Sequence, residues 1–406
     1  MNLKTLIDKK DDAAKYMLKE ITYICKNLPK RDPGSEGEKQ SCEYMAKVLK
    51  EECGCERADV ESFKENPGSF YGWIYITVTC MLLAVVCFFL NVAYVSILLI
   101  LLGLALAVLQ FGMYKKVVDW MFPEKTGHNV TAVKKCTGEV KRRIFFNGHP
   151  DAAWEWPVNY LLGGVGFESH ALIGFGGAFY YLGLSIAKVA GANADTLKTC
   201  ALWGLIFVPF WIGLFFLWNK KRVVDGANDN LTGCYMGISI LKQLKDQGIN
   251  LENTEVGVIL SGSEEAGLRG AKAWAEAHKG EFDDVPTVIV SYDTIHDPKY
   301  LMVNYRDLNG TVKTDKAASD MMMQAAKDLD IHILKGMVPP MGGATDPAAF
   351  AQAGYRATSI TGLNHKLESY YHTRKDTYTN MNLQVLADCY AVSVRALEMF
   401  DDGLLD

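Results

Sequence analysis

The chain has 406 residues, 49% hydrophobic and 22% charged, which is the composition of a folded protein and excludes a disordered chain. Its 42 basic and 47 acidic residues leave a net charge of −5, which gives no reason to expect a nucleic-acid partner. Ten cysteines without a CxxC pair, several inside apolar runs, read as reduced thiols rather than a disulfide framework.

In chain order, the N-terminus lacks the apolar core of a cleavable signal peptide. Residues 11–53 carry helical periodicity, broken at Arg31-Asp32-Pro33-Gly34-Ser35. Residues 59–63 and 129–133 read as short strands on either side of a stretch, 69–114, that holds neither a charged residue nor a histidine. A bilayer core is spanned by about 20 apolar residues, so this stretch predicts two crossings, at 71–90 and 92–113, with a turn at Asn91. A core helix of a soluble domain would show a polar stripe, and none is present.

Residues 143–146 predict a buried strand, after which a second hairpin interrupts the chain. Residues 171–187 are apolar and glycine-rich, 188–198 form a more polar turn, and 199–218 are again uncharged. The first helix is expected to begin near Gly164, placing Glu168 and His170 at the membrane surface, and Pro209 is expected to kink the second. Lys115 and Lys116 follow the first hairpin, and Lys220, Lys221 and Arg222 follow the second, so the positive-inside rule places the polar bulk in the cytoplasm. There the sequons at Asn129, Asn230 and Asn309 carry no meaning.

Residues 1–68, 115–157 and 222–406 are thus expected to build one cytoplasmic domain, with transmembrane hairpins at 69–114 and 158–221. Strands at 256–260, 287–290 and 357–360 alternate with amphipathic helices at 231–247, 268–278 and 319–329, and a helix at 383–400 closes the chain. The predicted class is α/β, a mixed central sheet flanked by helices and interrupted by four transmembrane helices.

Five segments fall just after predicted strands or near helix ends: His149-Pro150-Asp151, Asn228-Asp229, Glu264-Glu265, Asp293 and His372. In an open α/β sheet such ends converge on a ligand crevice, and this nitrogen and oxygen set is the one a pair of zinc ions requires.

The motifs Gly148-His149-Pro150-Asp151, Asp225-Gly226-Ala227-Asn228-Asp229-Asn230-Leu231-Thr232-Gly233, Ser263-Glu264-Glu265-Ala266-Gly267, Ser291-Tyr292-Asp293 and Tyr371-His372-Thr373 resemble the co-catalytic zinc aminopeptidase family, which includes aminopeptidase Y, glutamate carboxypeptidase and glutaminyl cyclase relatives. Gly342-Gly343-Ala344-Thr345-Asp346-Pro347 resembles a further family motif. The resemblance covers nearly all of the soluble part and none of the hairpins. It implies a zinc-exopeptidase-like, phosphorylase/hydrolase-like fold. It also implies two zinc ions per chain, with Asp229 bridging, His149 and Asp293 completing one site, and Glu265 and His372 completing the other. Asp151 would orient His149, and Glu264 would act as general base toward a water held between the metals. Asp376 is expected to organise the loop after His372, and Tyr371 and Asp346 are candidates for substrate or loop contacts. The family often has Asp where this chain has Asn228, a residue outside the expected ligands.

The function expected is a membrane-anchored zinc exopeptidase, an aminopeptidase, acting on peptides at the bilayer. Pairing of copies through the glycine-rich helix around Gly174 to Gly177 is a further expectation. The alternatives are a glutaminyl-cyclase-like or other amidohydrolase or carboxypeptidase activity, and a non-catalytic membrane scaffold. Trp154 and Trp156 suit either a substrate pocket or membrane-interface anchoring, and His296, His332 and His365 read as ordinary surface or core histidines.

Overall fold

The computed structural model describes residues 3–364 and 368–405, so His365 lies outside the described residues. By its internal contacts the chain divides into two compact units, Met1–Pro67, Glu124–Ala153 and Val223–Asp406 forming one, and Gly68–Pro123 and Trp154–Arg222 the other.

The first unit is built on an eight-stranded mixed sheet. Its strands are β1 (Arg57–Glu65), β2 (Lys125–Lys134), β3 (Arg142–Gly148), β4 (Thr254–Ser261), β5 (Thr287–Ile295), β6 (Met302–Asn304), β7 (Leu334–Gly336) and β8 (Arg356–Gly362). They lie in the order β1-β2-β4-β3-β5-β8-β6-β7. The central strands β4, β3, β5 and β8 run parallel and are almost wholly buried, which explains why they read as continuous apolar runs. The three-residue strands β6 and β7, absent from the sequence reading, are too short to show a period.

Helices cover both faces, because adjacent strand residues point to opposite sides. Phe145 packs on Trp274 and Phe282, whereas its neighbour Phe146 meets Tyr292 and lies where a Cβ on Gly237 would stand 2.7 Å from it. Helix α1 (Lys10–Asn27) buries Ala13, Ala14, Met17, Ile21 and Ile24, the single stripe that its periodicity predicts. Helix α2 (Glu36–Glu51) starts at Ser35, whose hydroxyl caps it by accepting the Glu38 N–H at 3.2 Å. Helix α3 (Thr232–Asp246) packs on β3 and β5, α4 (Arg269–Ala277) on β2 and β4, and α5 (Lys316–Asp328) and α6 (Leu383–Asp401) on one another.

The second unit contains four helices long and apolar enough to cross a membrane: Ser69–Phe89, Ala93–Gly112, Pro157–Val189 and Ala194–Leu214. Asn91 takes a left-handed φ of 64° between the first two, as expected of a tight turn. A short helical segment from Pro157 breaks at Gly163, where φ is 69°, so the long apolar helix that follows begins at Gly164, as the sequence suggests. Glu168 and His170 therefore lie near the start of that helix. Pro209 sits in the first turn of a helical segment that follows a 3-10 turn at Leu205–Phe207, so the predicted kink is a change of helix type.

Two glycines of the glycine-rich segment serve packing within the chain, since a Cβ on Gly177 would stand 2.6 Å from Phe207 and one on Gly174 would stand 3.4 Å from Leu214. Trp211 Nε1 donates to the Gly174 carbonyl at 2.8 Å. Some polar groups of this unit pair within it: Ser96 and Ser185 bond at 2.9 Å, and Lys188 Nζ donates to the Phe88 carbonyl at 2.6 Å. Trp154 packs against Tyr71 and Trp218, and Trp156 stacks on Phe167. All ten cysteines are free thiols.

Candidate metal centre

The strand register brings the predicted ligands to one edge of the sheet. Gly148 at the end of β3 is level with Leu260 of β4, and Asn147 is level with Ser291 of β5, so the chain emerges at His149, Ser263 and Asp293 on the same side. Gly148 is required there, because a Cβ would stand 2.4 Å from the backbone at Gly233 and Cys234.

Two groups of side chains form. In one, His149, Glu264 and Asp293 each offer a ligand atom within 4.8 Å of the others; in the other, Asp229, Glu265 and His372 do the same. Asp229 joins them: its Oδ1 lies 3.4 Å from His149 Nε2 and its Oδ2 lies 3.1 Å from His372 Nε2. His372 Nε2 is also 3.2 Å from Glu265 Oε1, and His149 Nε2 is 3.8 Å from Glu264 Oε2. The second triplet is the one implied by resemblance. The first adds Glu264 to the expected His149 and Asp293.

The supporting residues are as specific. Asp151, fully buried, accepts the backbone N–H of Glu264 at 3.1 Å through Oδ1 and that of Glu265 at 3.0 Å through Oδ2, with His149 Nδ1 at 3.3 Å from Oδ1. Asp376 accepts the backbone N–H groups of Asn228 at 2.9 Å and Asp229 at 3.1 Å, and the Asn228 amide at 2.7 Å. The same amide also donates to Asn380 Oδ1, an arrangement that an aspartate at 228 could not make. Asp346 is buried and accepts from the Ser261 hydroxyl, which in turn accepts from Asn147 at 2.7 Å. Tyr371 stacks on the His372 ring at 4.0 Å.

Backbone strain gathers here, with Ser263, Leu268, Thr294 and His372 all at left-handed φ between 51° and 59°. Thr294 is further held because its hydroxyl donates to Asp293 Oδ1 at 2.8 Å.

Two residues near the site carry no local signal in the sequence. Arg31, 2% exposed, donates to the carbonyls of Pro150 at 2.7 Å, Asp225 at 2.7 Å and Gly226 at 3.0 Å, clipping together the loops that carry His149 and Asp229. In the sequence it is only a charged residue at a helix break. His296, read as ordinary, bonds through Nδ1 to Asn228 Oδ1 at 3.1 Å and packs on Tyr370, whereas His332 is exposed.

Four carboxylates against two histidines leave this buried site with excess negative charge. Burial opposes the Asp229 charge, but His149 and His372 outweigh it and hold the carboxyl below its usual range. Burial lifts Asp293 to about 8 and raises Glu264 and Glu265 as well, neighbouring carboxylates adding to the effect. Burial works to depress His372, yet Glu265 and Asp229 bring it to about 10. Asp229 Oδ2 and Glu265 Oε1 are buried and meet no directed hydrogen-bond donor among the described residues. Such orphaned oxygens, beside histidine nitrogens and an excess of negative charge, fit zinc.

Residues 209–397 match the model of peptidase family M28, a span that contains Asp229, Glu264, Glu265, Asp293 and His372 and begins after His149. No curated protein sequence matches the chain. Among solved structures, the chain is similar to BSAP, a zinc aminopeptidase from Bacillus subtilis, at 13% identity and a TM-score of 0.57, covering 95% of each chain. It is also similar to an aminopeptidase from Aneurinibacillus sp. strain AM-1, at 14% identity and 0.57, covering 97% of this chain and 95% of that one. A glutaminyl cyclase from Porphyromonas gingivalis shares the fold at 10% identity and 0.54, covering 96% and 98%. The resemblance carried by the motifs is thereby borne out: the chain is similar to peptidase family M28 over residues 209–397 and shares the fold of zinc aminopeptidases.

Proposed function

We propose that the chain is a membrane-anchored exopeptidase with two zinc sites, an aminopeptidase whose catalytic domain faces the cytoplasm. The observation that carries the two-site reading is Asp229, which turns one oxygen toward each histidine group. His149 and Asp293 would complete one site, and Glu265 and His372 the other. Zinc bound there would supply Lewis acidity at the scissile carbonyl and lower the pKa of a water.

The chain's own groups do the rest. Glu264 takes the proton of the attacking water and returns it to the departing amine. Its placement depends on Asp151, which holds the backbone on both sides of the Glu264–Glu265 peptide and so fixes where base and ligand point. Asp376 does the same for Asp229, and Tyr371, stacked on His372, limits that ring's rotation. The four apolar helices support membrane anchoring, and the Lys and Arg flanks support a cytoplasmic catalytic domain. Pairing of copies through these helices would use positions such as Gly176 and Gly183, where an added Cβ would meet nothing within 4 Å among the described residues.

The similarity to glutaminyl cyclases favours a second reading, cyclase-like chemistry with a single zinc. A zinc count per purified chain, combined with a panel of aminoacyl fluorogenic substrates with and without added zinc, separates the two. Two zinc ions and release of the N-terminal residue are expected. One zinc with cyclisation of glutaminyl peptides would overturn the aminopeptidase assignment.

A further inference from the structure

Ser263, the residue before the Glu264–Glu265 turn, is fully buried between two further carboxyl groups that the reaction does not use. Its Oγ lies 2.7 Å from Glu38 Oε2 and 2.6 Å from Glu65 Oε1, and accepts the Gly34 N–H at 3.1 Å. Glu38 is 0% and Glu65 4% exposed. The backbone makes room for them: a Cβ on Gly262 would stand 3.0 Å from Glu38 Cδ, and one on Gly127 would stand 3.0 Å from Glu65 Oε1.

A serine hydroxyl has one hydrogen, so it can supply only one of two bare carboxylates at these distances. The other would set lone pair against lone pair in a dry site. Glu38 receives the His128 N–H at 2.8 Å on Oε1 and the Gly34 N–H at 3.2 Å on Oε2, donors to which it can only accept. Glu65 Oε1 faces Ser263, and its buried Oε2 has no hydrogen-bond partner among the described residues. The arrangement is satisfied when Ser263 donates to an ionised Glu38 and a protonated Glu65 donates to Ser263.

We propose that Glu38, Ser263 and Glu65 share one proton in the folded protein and act as positioning residues, holding Ser263 in its left-handed bend and thereby aiming the Glu264–Glu265 turn. The surroundings favour keeping that proton. Burial raises both carboxyls and the nearby Asp151 charge adds to it, while Ser263, Arg269 and Lys125 pull Glu65 back to about 7. The other titratable groups facing the pair are His128, with Nδ1 3.9 Å from Glu38, and the buried Cys42 thiol. A lost proton would place two carboxylates on one hydroxyl at the root of the turn.

The link to turnover rests on the peptidase reading; the shared proton does not. Infrared difference spectra of the zinc-loaded full chain near pH 6 decide the proton: a protonated-carboxyl stretch present in wild type and missing in Glu65→Gln is expected. Equal intensity in the two would overturn the proposal. Steady-state kinetics on an aminoacyl substrate decide the positioning. Glu65→Ala should lose at least roughly tenfold in kcat with KM and zinc content kept, and Glu65→Gln, whose amide can donate to Ser263 as the acid does, should recover most of the loss. Wild-type kcat in the alanine variant, or no recovery with glutamine, would overturn the positioning role. A wild-type chain inactive on every peptide would refute the peptidase reading, and the infrared result would still decide the proton.

Discussion

Asp151→Asn tests the centre with an isosteric change that opens no cavity. Three donors face the carboxylate: the backbone N–H groups of Glu264 and Glu265 at 3.1 and 3.0 Å, and His149 Nδ1 at 3.3 Å. Asparagine keeps one acceptor oxygen and turns an NH2 toward one backbone N–H. One hydrogen bond to a charged group is lost, about 1.5–3 kcal/mol, and its buried donor is left unpaired. Against this, removing the charge relieves repulsion on Glu38 and Glu65, so the net destabilisation should fall near the lower end, about 2 kcal/mol. The consequence for metal is sharper, because the groups that shift are Glu265, a proposed ligand, and His149. Zinc affinity should drop by roughly 10- to 100-fold, which is about 1.4–2.7 kcal/mol. Denaturant unfolding at neutral pH and chelator competition measure the two quantities separately. Wild-type values in both would mean that Asp151 does not hold the turn, whatever the distances.

Three other outcomes are expected. Glu264→Gln should lower kcat by roughly 100-fold or more while zinc content stays the same, and retained rates would remove Glu264 from the role of base. Arg31→Met leaves two buried carbonyls and the part-buried Asp225 carbonyl without their donor, so unfolding free energy should fall by about 3–5 kcal/mol, and Arg31→Lys, which cannot fork across two loops, should recover little of it. At the edge of the sheet His278 sits between Glu61 and Glu281; burial alone would lower its pKa, but the two carboxylates raise it above the ordinary value. Its stabilising contribution is therefore complete below about pH 6.5 and lost as pH rises through the raised value. Melting temperature followed from pH 6 to 9 should fall more in wild type than in His278→Gln, and parallel curves would exclude a contribution from the His278 pairing with Glu61 and Glu281.

The metal-ligand candidates were legible because each follows a recognisable strand or helix end in a motif of fixed spacing, and chemistry of this kind restricts which residues can stand there. The hairpins were legible for a simpler reason: a charge-free run as long as 69–114 has few soluble interpretations. Strands β3, β4, β5 and β8 announced themselves by continuous apolar residues, whereas the short β6 and β7 did not, since three residues carry no period. The start of the third apolar helix near Gly164 was legible, whereas the short helical segment from Pro157 that precedes the break at Gly163 was not.

What only the tertiary structure decided is which distant residues support the centre. Nothing near Arg31 in the sequence indicates that it clips the loops at 150 and 225, and nothing near Glu38 or Glu65 indicates that both meet Ser263. Asp151 is assigned by resemblance to orient a histidine, and beyond His149 it also accepts two hydrogen bonds from the backbone of the Glu264–Glu265 turn. These pairings form where separate strands end at one edge of the sheet, and a buried polar group's partner is set by what the fold brings within about 3 Å, which no local spacing encodes.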